Sequence, residues 1–317
     1  MERSDVIIVG GGHNGLTAAV FLARAGLQVT VLEARDVVGG AARTEAPFEK
    51  VPDLRHSTGA YLMGLVPPEL LAKLGRKIPT LRRDPHYFLP TTGERYLLFG
   101  SDEDAMKRQF SSFFSARDWA ANEALQAELA ALREDVGPTW LEEPLTIEET
   151  AERWVRPSLR EVFVDLCRGS VGDYLERFGF ESDLIKAMYA VTDGFSGSCG
   201  GWDTPGTGHN FLVHNMCRLP GADGTWMIVE GGMGTVSAVL AEEAVRAGVK
   251  LLTNAEVATV DVASGSARSV TTTDGRTFAA DVIVALPPAA YVQVVSDVPL
   301  PSLPIGVVHL TGRSSTS

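Results

Sequence analysis

The sequence predicts an α/β fold opened by a βαβ unit, and three observations predict it. Residues 5–9 (DVIIV) form an apolar, β-branched run of strand length. The glycine spacing G-x-G-x-x-G follows at once, at Gly10, Gly12 and Gly15. Leu16, Ala19, Val20 and Ala23 then recur at i, i+3, i+4 and i+7, the spacing of one helix face. Gly26 ends that helix, a position glycine suits. Residues 28–32 (QVTVL) read as a second strand, with Glu33 at its end. Strand, glycine turn, helix and strand in this order are Rossmann-like and suit a dinucleotide.

Each glycine has its own task. Gly10 allows the tight turn from strand to helix. Gly12 removes a Cβ so that a pyrophosphate can approach the backbone. Gly15 lets helix and strand pack closely. Phosphates then meet a helix N-terminus, where N–H groups and the dipole favour negative charge. Glu33 lies near the offset, about 20 residues on, of an acid that binds ribose hydroxyls. An acid there repels a 2′-phosphate, so a ligand of the NADP type is not expected.

Beyond Glu33 come Ala34, Arg35, Asp36, Val37 and Val38, then Gly39-Gly40-Ala41-Ala42-Arg43-Thr44. Here the sequence resembles the flavoprotein superfamily of amine oxidases, phytoene desaturases and protoporphyrinogen oxidases. Its signature joins V-I-V-G-x-G-x-x-G-L to E-A-R-x-x-x-G-G-x-x-x-T. The G-H-N-G-L form, with His13 and Asn14, is similar to the phytoene-desaturase-like branch. The resemblance implies FAD as cofactor. It implies that Gly39, Gly40 and Arg43 run along the pyrophosphate towards the flavin, that His13, Asn14, Ala34, Arg35 and Ala41 also belong to the cofactor site, and that Ser57, Thr58 and Gly59 lie beside the ring. His56 is read as a loop histidine.

With 317 residues and 45% apolar content, the chain can bury a sizeable core in one large domain or two. A net charge of −12, with no long basic run, disfavours nucleic acid and anionic membrane surfaces. No apolar run approaches the roughly 20 residues of a membrane-spanning helix. Residues 1–5 lead directly into the first strand without a signal peptide, so a cytoplasmic location is expected. Cys167, Cys199 and Cys217 form no C-x-x-C pair, so disulfide reductase chemistry is not expected. Each is read as a small buried hydrophobe or a surface thiol.

The expected organisation is a discontinuous FAD-binding domain, residues 1–60 and 225–290, with an inserted α+β substrate domain, 61–224. Residues 291–317 are expected to be an irregular tail. Within the insert, Glu69 to Leu74 reads as a helix closed by Gly75. Residues 84–100 read as a hairpin. Ser101 is the expected cap of the next helix, with Asp104 at its third position. Residues 194–201 form a glycine- and serine-rich loop that lacks the ending of a P-loop. Trp202, His209, Phe211, His214 and Trp226 are either a substrate-tunnel lining or core. The i, i+5 spacing of His209 and His214 makes a metal site improbable.

After Glu230-Gly231-Gly232-Met233-Gly234 a helix is expected over 236–247, where the family's chain returns to the FAD domain. Residues 250–253 read as a parallel strand. By resemblance, the backbone of Val257 meets the adenine side of FAD. A hairpin is expected over 269–279 through the two-residue turn Asp274-Gly275. Residues 281–286 read as a separate buried strand, ended by Pro287-Pro288, that carries Ala285 to the cofactor.

The resemblance covers residues 5–290. Relatives continue further, with a final G-D-type motif against FAD, so a C-terminally truncated form is expected, with weak FAD affinity and low turnover. The activity implied is hydride transfer from a saturated C–C or C–N bond of a small, apolar substrate to flavin N5. Oxygen or a quinone would re-oxidise the flavin. No catalytic residue and no oligomeric state is identified. The alternatives are a non-catalytic nucleotide-fold binding or regulatory module and an amine oxidase.

Overall fold

The first strand of the computed structural model, β1 (Glu2–Val9), begins three residues before the apolar run. Val6, Ile7, Ile8 and Val9 are buried, as a strand covered on both faces requires. The described residues are 2–90, 93–94, 96–195, 200–263, 266–285, 293–296 and 308–311. The glycine turn leads into α1 (His13–Arg24), which buries Gly15, Leu16, Ala19 and Val20. Strand β2 (Val29–Leu32) then pairs parallel with β1, Val6 opposite Val29 and Val9 opposite Leu32. Two short strands, β3 (Thr44–Glu45) and β4 (His56–Ser57), pair antiparallel.

The chain divides into two units, Met1–Tyr61 with Val229–Ser317 and Leu62–Ile228. The second opens with α2 (Pro68–Leu74), closed by Gly75 in the left-handed region. A hairpin of β5 (Tyr87–Pro90) and β6 (Tyr96–Phe99) follows. Then come α3 (Glu103–Phe113), α4 (Ala116–Val136), α5 (Ile147–Trp154), α6 (Arg160–Arg168), α7 (Val171–Glu176), α8 (Asp183–Tyr189) and α9 (Thr207–His214). Their core centres on Phe110, Leu125, Leu129, Leu175, Ile185 and Phe211, with Trp202 packed against it. Phe211 and Trp202 thus belong to the core. His214 stacks on Trp226, ring centres 5.2 Å apart.

The cap of α3 is corrected. Asp102 is the capping residue and accepts the Ala105 N–H at 2.8 Å. The Ser101 hydroxyl is engaged by Asp84 instead. A carboxylate one residue later reaches the same orphan donors. Of the glycine-rich loop, residues 196–199, including Cys199, lie outside the described residues. Gly194 closes a π-helical turn, Ala190–Gly194, in which Phe195 N donates to Ala190 O at 2.8 Å.

The first unit resumes with α10 (Gly234–Arg246) and β7 (Lys250–Leu252), which pairs parallel with β2. Next are β8 (Val257–Ala263), β9 (Ser266–Thr272), β10 (Thr277–Ala285), β11 (Gln293–Ser296) and β12 (Val308–Thr311). The sheet runs β11-β8-β9-β10-β1-β2-β7, and β12 pairs with β10.

Three expectations change here. Residues 276–279 and 281–285 are one strand, β10. Its first half pairs antiparallel with β9, and its whole length pairs parallel with β1. Asp281, which marked a boundary in the sequence, is exposed and pairs with Arg3 at 2.5 Å. The turn is a three-residue loop, Thr273 to Gly275, because Thr272 N donates to Arg276 O at 2.9 Å. A type I turn closed by a left-handed glycine has this form. Finally, the 291–317 stretch contributes β11 and β12, whose QVVS and VHLT sequences suit strands. Pro287, Pro288, Pro299, Pro301, Pro304 and residues 312–317 lie outside the described residues.

Candidate functional site

The site in the first unit is a crossing of two glycine-bearing segments at the start of α1. Gly12 caps that helix in extended conformation, with no side-chain cap and no acid in the first turn. No side chain of the helix itself therefore compensates the positive end of its dipole. His13 and Asn14 are exposed on this turn. Gly39 N donates to Gly11 O at 2.9 Å, and Gly12 and Gly39 form a parallel bridge. Gly40 has a φ of +56°, and a Cβ there would stand 3.3 Å from Gly12 Cα. Gly59 closes on the same backbone, since a Cβ on it would meet Ala41 O at 2.6 Å.

Glu33, 8% exposed, sits below this crossing. Its Oε2 accepts the Gly11 N–H at 2.7 Å, and its Oε1 accepts the Arg35 N–H at 3.0 Å. A carboxylate has about four lone-pair positions, so acceptor capacity is left for ribose hydroxyls. The return into β8 runs alongside: Ala255 N donates to Glu33 O and Asn254 N to Arg35 O, both at 2.8 Å. That places the Val257 backbone near Glu33, while its side chain is buried. Ala285, at the end of β10, pairs with Val9 next to the glycine turn.

Three hydroxyls are engaged in holding the return of α10. Ser57 Oγ accepts from Met233 N at 3.0 Å and Thr44 Oγ1 from Gly234 N at 2.9 Å. Ser237 donates to Ala42 O at 2.6 Å. Thr58 donates to the Glu45 carboxylate. Arg43 Nε is buried and lies 2.9 Å from Glu45 Oε2, an ion pair. The Thr58 hydroxyl, then Arg43, holds the Glu45 carboxyl below the usual carboxylate range. Glu45 and Ser237 escaped the sequence reading: each is a single polar residue with no spacing to mark it. An uncapped helix start, a backbone crossing without Cβ atoms and a guanidinium held in place by Glu45 together fit a pyrophosphate.

The second unit holds a cavity of about 280 Å³. Asp193, on the π-helical turn, is buried within it. The Tyr87 hydroxyl donates to Asp193 Oδ1 at 3.1 Å, and Asn215 Nδ2 lies 3.4 Å from Oδ2. Burial pushes the Asp193 carboxyl up to about 6. Burial, then the Arg83 charge, lowers His86 to about 4, so that ring is neutral near pH 7. Glu103, Glu123 and the aromatic rings of Phe99, Trp119 and Tyr189 complete much of the wall. Among the described residues no His, Cys, Asp or Glu group of three or more is arranged for a metal, and no helix is long and apolar enough to cross a membrane.

Residues 15–308 match the family described as flavin containing amine oxidoreductase. Pyridine nucleotide-disulfide oxidoreductase domain-containing protein 2 of Mus musculus is 32% identical over 303 residues, 86% of this chain and 51% of that protein. A hydroxyneurosporene desaturase of Cereibacter sphaeroides is 29% identical, covering 96% of this chain and 60% of its own. The solved structure of putrescine oxidase bound to putrescine shares the fold, with a TM-score of 0.59 and 22% identity over 95% of this chain and 62% of that one. The chain thus spans about half the length of the mouse relative. It is an α/β protein with a Rossmann-like sheet, and it belongs to the flavin containing amine oxidoreductase family, whose cofactor is FAD.

Proposed function

We propose that this chain binds FAD at the glycine crossing and serves an FAD-dependent oxidoreductase. The observation that carries the reading is the uncapped start of α1 set against Gly39 and Gly40. The α1 N-terminus would take the pyrophosphate. Glu33 would hold the ribose while fixing the Gly11 turn, and Arg43 would supply a positive charge and the remaining N–H groups of its guanidinium. The flavin, when bound, supplies the hydride acceptor. A cytoplasmic location goes with this reading, and the net charge of −12 disfavours anionic membrane surfaces.

The test is the visible spectrum and FAD fluorescence of the purified chain during titration with FAD. Flavin bands that stay with the protein, and FAD released on denaturation, are the expected result. An unchanged fluorescence titration would overturn the reading and favour a non-catalytic nucleotide-fold module.

For the substrate, the likeness to a hydroxyneurosporene desaturase supports an apolar molecule. The cavity of the second unit favours a second reading, a small organic cation. Its described wall carries Glu103, Glu123, Asp193 and Asp223, while Arg82 is paired with Asp223 and His86 is neutral. Aromatic faces beside carboxylates suit an ammonium group. Anaerobic bleaching of the flavin bands by a polyene or by an amine separates the two.

A further inference from the structure

We propose that Glu45 is a positioning residue of the FAD site: it fixes Arg43, with Arg35 and Thr58, in the arrangement that receives the cofactor. This rests on the reading that the glycine crossing binds FAD. Glu45 collects groups from three separate segments. Arg35 Nη1, on the turn after β2, lies 3.7 Å from its Oε1. Arg43 Nε lies 2.9 Å from its Oε2, and Thr58 donates to the same oxygen. The carboxylate itself is set by the β3–β4 pairing, which places Glu45 opposite His56. Close packing of Gly59 on Ala41 brings Thr58 within reach.

Two guanidinium groups sharing one carboxylate leave a net positive charge, and without the carboxylate they repel each other. Arg43 is the more enclosed of the two, with 22% of its side chain exposed against 55% for Arg35. Its Nε is buried against Glu45 at 2.9 Å while 22% of the side chain stays exposed, so Glu45 anchors the guanidinium through Nε and leaves its other N–H groups to a ligand. A guanidinium fixed in this way suits a phosphate oxygen, because the cost of ordering the long side chain is met before binding.

The proposal has a sign that a simple charge effect lacks. FAD carries negative phosphates. If Glu45 were only a nearby negative charge, removing it would strengthen FAD binding. If Glu45 positions Arg43, removing its charge weakens binding.

The experiment titrates FAD into the full chain at constant ionic strength, reading the dissociation constant from FAD fluorescence and the environment of the flavin from its visible bands. Glu45→Gln is expected to raise the Kd at least tenfold and alter the bands. Glu49→Gln, which removes the same charge at an exposed position, is expected to change it less than twofold. In an Arg43→Ala background, most of the Glu45→Gln effect is expected to vanish, as residues acting through one another are not additive. Unfolding curves without FAD control for folding. If Glu45→Gln does not fold, Thr58→Val takes its place, with an expected rise of about threefold. A Kd for Glu45→Gln equal to or tighter than the parent's, or a full effect persisting in Arg43→Ala, overturns the proposal. Absence of FAD binding by the parent chain would overturn the underlying reading as well, and is distinguished by that.

Discussion

The buried carboxylate of Glu33 accepts the backbone N–H of Gly11 at 2.7 Å. The acid that the sequence marks for a ribose is therefore also part of the turn that shapes the proposed phosphate site. In that proposal, ligand recognition and local folding share one side chain. Glu33→Ala strips Gly11 and Arg35 of their acceptor. The cost expected is about 1–3 kcal/mol, the usual penalty for leaving buried polar groups unpaired. Urea unfolding in the absence of FAD measures it. A purely ligand-facing acid would leave that stability unchanged.

Gly59→Ala tests the close approach of two backbones. The new methyl would meet Ala41 O at 2.6 Å, and a backbone oxygen cannot rotate away as a side chain can. A loss of about 1–3 kcal/mol is expected from the forced shift. The variant should also lose FAD affinity, since Ala41 follows the Gly40 contact. Calorimetric melting and FAD titration of the same sample check both parts.

Asp193 predicts a pH dependence of stability. Its carboxyl is raised to about 6, chiefly by burial. The folded state therefore binds the proton more tightly than the unfolded chain does. Stability contributed by this group is full below about pH 4 and is lost as pH rises through 6. A rise of two units corresponds to about 3 kcal/mol at most. Tyr87, Asn215, His214 and Thr192 face the carboxyl, and their hydrogen bonds and charge oppose or trim the shift. Asp193→Asn should flatten the slope of unfolding free energy between pH 4 and 7. An unchanged slope in denaturant titrations at several pH values would count against this assignment.

The cysteines give a chemical test of burial. Cys167 and Cys217 are buried and free. Burial raises the Cys167 thiol to about 12 and also raises Cys217. Neither should react with iodoacetamide at pH 8 in the native protein, because the thiolate is the nucleophile. Both should react in denaturant. Peptide mapping after labelling separates them from Cys199.

Much of the Rossmann-like unit was legible because its signals are local and redundant. Strand, glycine turn, helix and acid occur within one short stretch, and α1 forms where its apolar spacing puts it. The differences share a cause: a polar residue that reads as punctuation in the sequence has a distant partner that makes it compatible with regular structure. Asp281 does not break β10, since Arg3 meets it on the neighbouring strand. Ser101 does not cap α3, since Asp84 claims its hydroxyl and Asp102 supplies the cap. A direct check is that Asp102→Ala should cost about 0.5–2 kcal/mol. Glu45 was invisible for the opposite reason. Its partners Arg35, Arg43 and Thr58 carry meaning only once β3 and β4 are paired.

The sheet of the first unit has a consequence for how the protein is made. Val6 in β1 pairs with Val282 in β10, so the two strands leave the ribosome far apart in time. At bacterial to eukaryotic elongation rates the delay is roughly 10 to 50 seconds. During it, one edge of β1 has no neighbour, and its apolar residues are open to unintended strand pairing. The Leu62–Ile228 unit is one continuous stretch and is complete before β10 emerges. The nascent chain thus carries a finished second unit beside an unfinished first one, and a holdase chaperone that covers β1 during translation should raise the yield of folded protein.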